Sequence, residues 1–296
     1  MRAFAVLLIV FLASCGGAAQ SADGSADAST EAEPSADGPL EVAFPSATSA
    51  SAPAETAMEM VPLEAPGDPQ AMGHLAYFPP TYAEDGDPSP LLVFLHGAGE
   101  AGDGSAEALG LIDDLGVPQL ISAGTWPKER PFLVLAPQYA TAKAEAECDV
   151  SDEIDRFLDW AFLTYNVDRG RVYLTGVSCG AIGIWDYLAS HSDEEVAAAV
   201  PISGQARGAL EEAGCEPLAE VPVWAFHGAV DEIVPVSFVE DQIGQISACE
   251  GADAPAVELT VYPDTGHVEA IAPTYDGSGG HDIYAWLLEH TNESAN

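Results

Sequence analysis

Basic residues are scarce in this sequence. Lysine and arginine together number 8, against 48 aspartate and glutamate residues, and the formal net charge is −40 at pH 7. A chain this acidic is repelled by phosphate backbones and by anionic lipid surfaces. We therefore expect neither a nucleic acid nor an acidic membrane surface as a partner.

Motifs for bound cofactors are also missing. The sequence has no glycine-rich phosphate loop, no dinucleotide-binding fingerprint and no Cys/His spacing typical of zinc sites. We therefore predict no metal and no cofactor. The N-terminal apolar run, from Ala3 to Ala13, is too short to span a bilayer as a folded helix.

That apolar run belongs to an N-terminal segment that resembles a bacterial lipoprotein signal. Arg2 precedes the run, which ends in Leu-Ala-Ser-Cys at residues 12–15. The resemblance implies a signal peptide over residues 1–14 and a lipid on Cys15, and the alternative is a cleaved signal with an incidental cysteine. We expect an exported protein of the bacterial cell envelope, held at the membrane through this lipid alone.

Two regions of different composition follow. Residues 15–64 are rich in Ala, Ser, Gly and Pro, carry nine acidic side chains and have neither Lys nor Arg. They lack a sustained apolar period, which predicts a disordered acidic tether. Residues 65–296 have the length of one domain.

Predicted strands and helices alternate along this domain. The alternation predicts an α/β fold that is doubly wound around a mostly parallel sheet. Ligands of such sheets bind beyond the carboxyl ends of the strands. The predicted strands are Gly73–Tyr82, Pro90–Leu95, Phe132–Ala136, Val172–Leu174, Val196–Ile202, Pro222–Phe226 and Val257–Tyr262, and the predicted helices lie within Ala106–Ser122, Ser151–Tyr165, Ile182–Leu188, Phe238–Ala248 and Ile283–Glu289.

A G-x-S-x-G motif covers residues 176–180. A short apolar strand precedes it and a helical apolar rhythm follows, which is the context of a nucleophile elbow. Ser178 would then occupy a strained turn, with the positive end of the next helix facing a developing oxyanion. The alternative is a glycine-rich turn in which the serine only caps the helix.

Two further strand ends supply the partners that a serine nucleophile needs. Asp231 follows the predicted strand at 222–226, and His267 follows the strand at 257–262. Ser, then Asp, then His is the chain order of α/β-hydrolase triads. His281, in a Gly-rich stretch before the last helix, is the rival of His267, which we prefer because it directly follows a strand.

Four sequence blocks together resemble the α/β-hydrolase superfamily. They are LLVFLHGAGE at 91–100, RVYLTGVSCG at 171–180, VPVWAFHGAVDEIVP at 221–235 and VYPDTGH at 261–267. Within it the chain looks similar to secreted polyhydroxybutyrate depolymerases, feruloyl esterases and predicted-peptidase carboxylesterases. The resemblance implies Ser178 as nucleophile, His267 as base and Asp231 as orienting acid, with the backbone N–H groups of Ala98 and Cys179 as oxyanion donors.

Other polar and aromatic residues near these blocks have more ordinary interpretations. We expect His96 and His227 to bind loop backbone close to the site, and Glu100 to brace the loop that carries Ala98. Trp126, Trp185 and Tyr275 either line a pocket or belong to the core.

Four cysteines remain after Cys15, and an even number in an exported domain suggests two disulfides. Three connectivities are possible. We prefer Cys215–Cys249, because these residues bracket one strand–helix unit, and this choice leaves Cys148–Cys179 as the second pair.

The leading functional hypothesis is a serine hydrolase that cleaves a small or polymeric carboxylic ester. The stretch between Ser178 and Asp231 is short and is used by predicted elements, so we expect no lid domain. A serine peptidase with the same triad and a non-catalytic binding lipoprotein are the alternatives.

Overall fold

The computed structural model describes residues 60–63, 72–140, 148–191, 195–249 and 257–295. The predicted signal peptide, Cys15 and nearly all of the predicted tether lie outside these ranges. Within them, no helix has both the length and the apolar character required to cross a bilayer.

The described residues form one eight-stranded sheet with the strand order β1-β2-β4-β3-β5-β6-β7-β8. The six strands from β4 to β8 in this order are parallel, whereas β1 and β2 are antiparallel to their neighbours. A doubly wound, mostly parallel sheet is confirmed. The strands are β1 Val61–Leu63, β2 His74–Tyr77, β3 Ser89–Leu95, β4 Leu133–Pro137, β5 Val167–Val177, β6 Ala198–Ile202, β7 Val223–Gly228 and β8 Val257–Tyr262.

Helices cover both faces of this sheet. Alternate residues of β3 enter the two halves of the core: Leu91, Val93 and Leu95 pack on one side, Leu92 and Phe94 on the other. This is why β3 appears as an unbroken apolar run in the sequence. The helices are α1 Ala106–Asp113, α2 Gly116–Ser122, α3 Ser151–Thr164, α4 Cys179–His191, α5 Arg207–Ala213, α6 Val236–Ala248, α7 Ile271–Tyr275 and α8 Ile283–Leu288.

Three short elements differ from the sequence prediction. Strand β1 lies inside the predicted tether and pairs with β2, where edge hydrogen bonds order a segment too short to have a visible period. Helix α5 was not predicted. Helix α7 occupies the connection between His267 and His281, where no helix was predicted, and its five residues are too few for periodicity to reveal them.

The predicted helix within 106–122 is broken into α1 and α2 at Gly116. This glycine has a φ of +58°, and a Cβ on it would lie 2.5 Å from the Phe94 ring. The left-handed backbone and the tight ring contact both require glycine, and they turn the chain between the two helices.

Two disulfides cross-link the domain. The structure joins Cys148 to Cys179 and Cys215 to Cys249, the pairs preferred from the sequence. The first attaches the start of α4 to the chain before α3. The second links the segment before β7 to the end of α6.

Trp126, Trp185 and Tyr275 are core residues, each at most 1% exposed.

Candidate active site

Ser178 lies on a tight turn between β5 and α4. Its φ is +51°, a left-handed conformation that is rare for a residue with a side chain. The turn is pressed against the end of β3: a Cβ on Gly176 would lie 2.7 Å from the Leu95 carbonyl oxygen, and one on Gly180 only 2.3 Å away. The two glycines of the motif therefore let the strained turn approach the neighbouring strand.

A chain of hydrogen bonds links Ser178 to two residues from other strand ends. His267 Nε2 lies 2.9 Å from Ser178 Oγ, and His267 Nδ1 lies 2.7 Å from Asp231 Oδ2. A carboxylate accepts, so Nδ1 carries the proton and Nε2 is free to accept from the hydroxyl. The Asp231 side chain is fully buried and that of His267 is 10% exposed, which leaves the imidazole edge accessible beside the serine.

The Asp231 carboxylate is held by donors on both oxygens. Oδ1 accepts from the backbone N–H groups of Ile233 and Val234 at 2.9 and 2.8 Å. Oδ2 accepts from His267 and lies 3.1 Å from Nε2 of the fully buried His227. These donors satisfy a buried negative charge that would otherwise be costly.

The loops that carry Asp231 and His267 meet at Gly228. Val230 N–H donates to the Thr265 carbonyl at 3.0 Å. A Cβ on Gly228 would lie 2.3 Å from that same oxygen and 2.4 Å from the Gly266 oxygen. Only a residue without a side chain therefore permits this contact between the two loops.

The loop after β3 runs beside Ser178. A Cβ built on Gly97 would contact Ser178 Cβ at 3.8 Å, and a one-turn 3₁₀ helix follows from Ala98 to Glu100. Ala98 is exposed at the start of this turn, while Cys179 begins α4. Among the described residues, the backbone N–H groups of Ala98 and Cys179 donate to no backbone carbonyl outside the helical turns that they begin.

Buried side chains hold this loop in place. His96 Nδ1 donates to the Gly97 carbonyl at 2.6 Å, and its Nε2 accepts from the Tyr139 N–H at 3.2 Å. The Tyr139 hydroxyl in turn donates to the His96 carbonyl. Gln138 donates to the Glu100 carbonyl at 2.8 Å and accepts from the Gly104 N–H at 2.9 Å.

The Glu100 side chain folds back over the same loop. Its Oε2 would lie 2.9 Å from a Cβ on Gly97. Burial raises the pKa of this carboxyl, and hydrogen bonds from the backbone of Glu100 and Gly97 oppose that shift. These contacts fit the bracing role expected of Glu100.

Two residues near the site had no motif to reveal them. Ser203 directly follows β6, has a φ of +53°, and donates its hydroxyl to the His267 carbonyl at 2.9 Å. Gln138 directly follows β4. The signal available was only their position, since each is a polar residue at the carboxyl end of a parallel strand.

His281 has different surroundings from His267. Its ring packs against Trp224, Phe226 and Tyr262, with centroid distances of 5.2, 5.7 and 6.4 Å. Its partners are thus aromatic side chains of β7 and β8. Among the described residues, no group of three or more His, Cys, Asp or Glu side chains is arranged to hold a metal ion.

Comparison with solved structures identifies the fold. A thermostable esterase superposes with a TM-score of 0.58 at 22% identity, over 79% of this chain and 64% of that protein. Esterase PE8 gives 0.50 at 20% identity, over 74% and 98% of the two chains. Est1E from Butyrivibrio proteoclasticus gives 0.50 at 16% identity, over 78% and 98%.

This chain therefore has the α/β-hydrolase fold. It spans less than two thirds of the length of the thermostable esterase. No protein-family model and no curated protein sequence matches the chain.

Proposed function

We propose that this protein is a serine hydrolase that cleaves carboxylic esters through an acyl-enzyme. The observation that carries the proposal is the hydrogen-bonded sequence Ser178–His267–Asp231, with the serine on a strained turn at the carboxyl edge of the sheet. A buried carboxylate, an oriented imidazole and an accessible hydroxyl are the parts that nucleophilic acyl transfer needs.

In acylation, Ser178 Oγ attacks the ester carbonyl carbon while His267 Nε2 accepts the hydroxyl proton. Asp231 accepts the Nδ1–H bond throughout and stabilises the imidazolium. The resulting tetrahedral intermediate carries its negative charge on the former carbonyl oxygen. We assign the N–H groups of Ala98 and Cys179 to that oxygen, because both start helical turns on either side of Ser178.

The intermediate collapses when the bond to the alcohol breaks and His267 returns its proton to the leaving oxygen. Water then attacks the acyl-enzyme while His267 accepts a proton from that water, and the carboxylic acid leaves as His267 gives this proton to Ser178 Oγ. Every proton in this cycle passes through one imidazole nitrogen, Nε2 of His267.

Apolar side chains beside the site favour an ester with an apolar portion. Val230, Ile233 and Val268 are 55%, 69% and 61% exposed. Val230 and Ile233 flank Asp231 in its loop, and Val268 follows His267. Exposed apolar residues close in sequence to two members of the triad favour a contact surface there for an apolar group.

The test is hydrolysis of p-nitrophenyl acetate and butyrate by the wild type, S178A, H267A and H281A. We expect S178A and H267A each to lose about 10⁴-fold or more in rate, because the three groups act as a unit. H281A is the matched control and should keep most of the activity. Turnover by folded S178A at nearly the wild-type rate would contradict the assignment.

A serine peptidase and a binding protein without activity are distinguished in the same experiment. Faster cleavage of acyl p-nitroanilides than of the matching esters would favour the peptidase. No turnover of any of these substrates by the folded wild type would favour the binding protein.

We further propose that the protein is exported and anchored through a lipid on Cys15. Two disulfides among the described residues fit an oxidising compartment. The C15S variant should move to the soluble fraction with unchanged activity of the domain. Continued membrane association of C15S would show instead that the apolar leader is retained.

A further inference from the structure

We propose that His227 is a positioning residue for the hydrolytic reaction: it orients the Asp231 carboxylate and limits its basicity, and so sets the pH at which His267 becomes active. This inference rests on the proposed function, because it assigns a role within the same triad. His227 touches neither Ser178 nor the place where an ester would bind, so its effect passes through Asp231.

The tautomer of His227 follows from its partners. Its Nε2 lies 2.8 Å from the Val234 carbonyl oxygen and 3.1 Å from Asp231 Oδ2. Both oxygens can only accept, so Nε2 carries a proton and shares it between them. Val234 also donates its own N–H to Asp231 Oδ1, and the three residues therefore form a closed hydrogen-bonded ring.

His227 is neutral in this arrangement. Its Nδ1 is buried without a hydrogen-bond partner among the described residues, so a second proton there would be unsatisfied. Burial is the main influence on this ring and lowers its pKa, while the bond to Val234 and the charge of Asp231 oppose that shift. A neutral ring leaves the negative charge of Asp231 intact.

Few other charged groups face this ring. Asp231 and His267 are the titratable groups that act on it electrostatically. Glu232, Asp264 and Glu269 lie in the two loops but are exposed, and Glu100 lies in the loop after β3, over Gly97. Water screens the exposed carboxylates, so the two imidazoles at Asp231 Oδ2 are the main electrostatic influence on this carboxylate.

Sharing Oδ2 between two imidazoles has two consequences. The carboxylate cannot rotate away from His267 without losing the His227 bond as well. In addition, each donor stabilises the ionised carboxylate and reduces its pull on the His267 proton. Removing the His227 donor should therefore make His267 more basic, so that more of it is protonated and inactive in mildly acidic solution.

The experiment measures kcat/KM for a neutral p-nitrophenyl ester from pH 5 to 9 with the full chain and three variants. In H227Q the amide nitrogen can reach the position of Nε2, whereas H227N places its amide near Nδ1 and H227L has no donor. We expect H227L and H227N to shift the acidic limb upward by about half a pH unit or more, which corresponds to ~0.7 kcal/mol. We also expect them to lose about tenfold in kcat, with KM nearly unchanged.

H227Q should retain the wild-type limb and most of kcat, because it restores the donor without a titrating ring. H74L serves as the control for a buried histidine lost elsewhere, on β2 beside Tyr165: it should lower stability without moving the limb. If H227L does not fold, the contrast between H227Q and H227N decides.

An unchanged limb in folded H227N would overturn the proposal and leave His227 as a packing residue. A shift shared equally by H227Q and H227N would also overturn it, because the donor would then not be the cause. These outcomes are separate from failure of the proposed function, which S178A tests independently.

Discussion

The same three residues, His-Gly-Ala, occur at the carboxyl ends of two strands of the sheet and form different structures. After β3, His96 carries its proton on Nδ1 and donates it to the Gly97 carbonyl. Its Nε2 accepts from the N–H of Tyr139, just after β4. At the end of β7, His227 carries its proton on Nε2 and binds the loop that follows the strand, at Val234 and Asp231. Both rings are fully buried.

The neighbours of each strand explain the difference. His96 lies next to β4, and its ring stacks on Tyr139 with centroids 3.7 Å apart, so it joins two strand ends. His227 lies in β7, and the loop after this strand returns to it through Asp231 and Val234, so it joins the strand end to its own loop. The first histidine therefore supports the loop of the proposed oxyanion donor, and the second supports the acid of the triad.

The two glycines differ in the same way. A Cβ on Gly228 would meet backbone oxygens of Thr265 and Gly266 at 2.3 and 2.4 Å, whereas one on Gly97 would first meet the end of the Glu100 side chain at 2.9 Å. Backbone cannot yield without moving His267, while a glutamate side chain can rotate. The end of β7 should therefore tolerate a side chain at its glycine less well than the loop after β3.

Substitution of these glycines should give the largest contrast. We expect G228A to lose about 100-fold or more in kcat/KM, because a displacement of about 1 Å in a catalytic group has this effect. G97A should lose less than about tenfold by the same reasoning, since only the Glu100 side chain must move. Equal losses in two folded variants would contradict this difference between the strand ends.

The two disulfides give a second contrast. They close loops of similar length, with sequence separations of 31 and 34, so each loss should lower the free energy of unfolding by about 3–4 kcal/mol. C148S also releases Cys179, next to Ser178, and should lower kcat severalfold, whereas C215S should affect stability alone.

Urea unfolding and ester kinetics on the two cysteine variants provide the measurement. Identical kcat values for C148S and C215S, with both proteins folded, would show that the bridge at Cys179 does not hold the turn beside Ser178.

The smallest expected contrast is between His96 and His227, in how each makes the free energy of unfolding depend on pH. Burial lowers the pKa of His96 to about 4, from 6.5 in an unfolded chain. Between these values only the unfolded chain binds the proton, so the free energy of unfolding decreases as the pH falls from about 6.5 to 4, by ~3 kcal/mol.

H96Q removes this contribution. The difference in free energy of unfolding between the wild type and H96Q should narrow as the pH falls through this range. The corresponding difference for H227Q should change less, because the negative charge of Asp231 opposes the lowering of the His227 pKa. Unfolding curves at pH 7, 6, 5 and 4.5 test this. A difference that stays constant with pH for H96Q would contradict a neutral, buried His96.

The sequence was informative where a residue type and a position in the chain combined. A serine between spaced glycines, a carboxylate after one strand and an imidazole after another are recognisable because each follows an apolar run. Ser203 and Gln138 follow strands too, but a serine or glutamine has many ordinary uses, and their value comes only from contacts with His267 and Glu100.

The remaining differences have a similar cause. Strand β1 and helices α5 and α7 are short, and their order comes from pairing or packing with distant segments rather than from a local period. The role of His227 was likewise hidden: the motif predicted a histidine that binds loop backbone, and only the structure brings its ring to Asp231.

The most direct test of the account is covalent labelling of the proposed nucleophile. A fluorophosphonate should add one phosphonyl group to the wild type with loss of fluoride, and tandem mass spectrometry should locate it on the peptide that contains Ser178. We predict no adduct on folded S178A and much slower labelling of H267A. An adduct on another serine, or equal labelling of S178A, would contradict the assignment of Ser178 as the nucleophile.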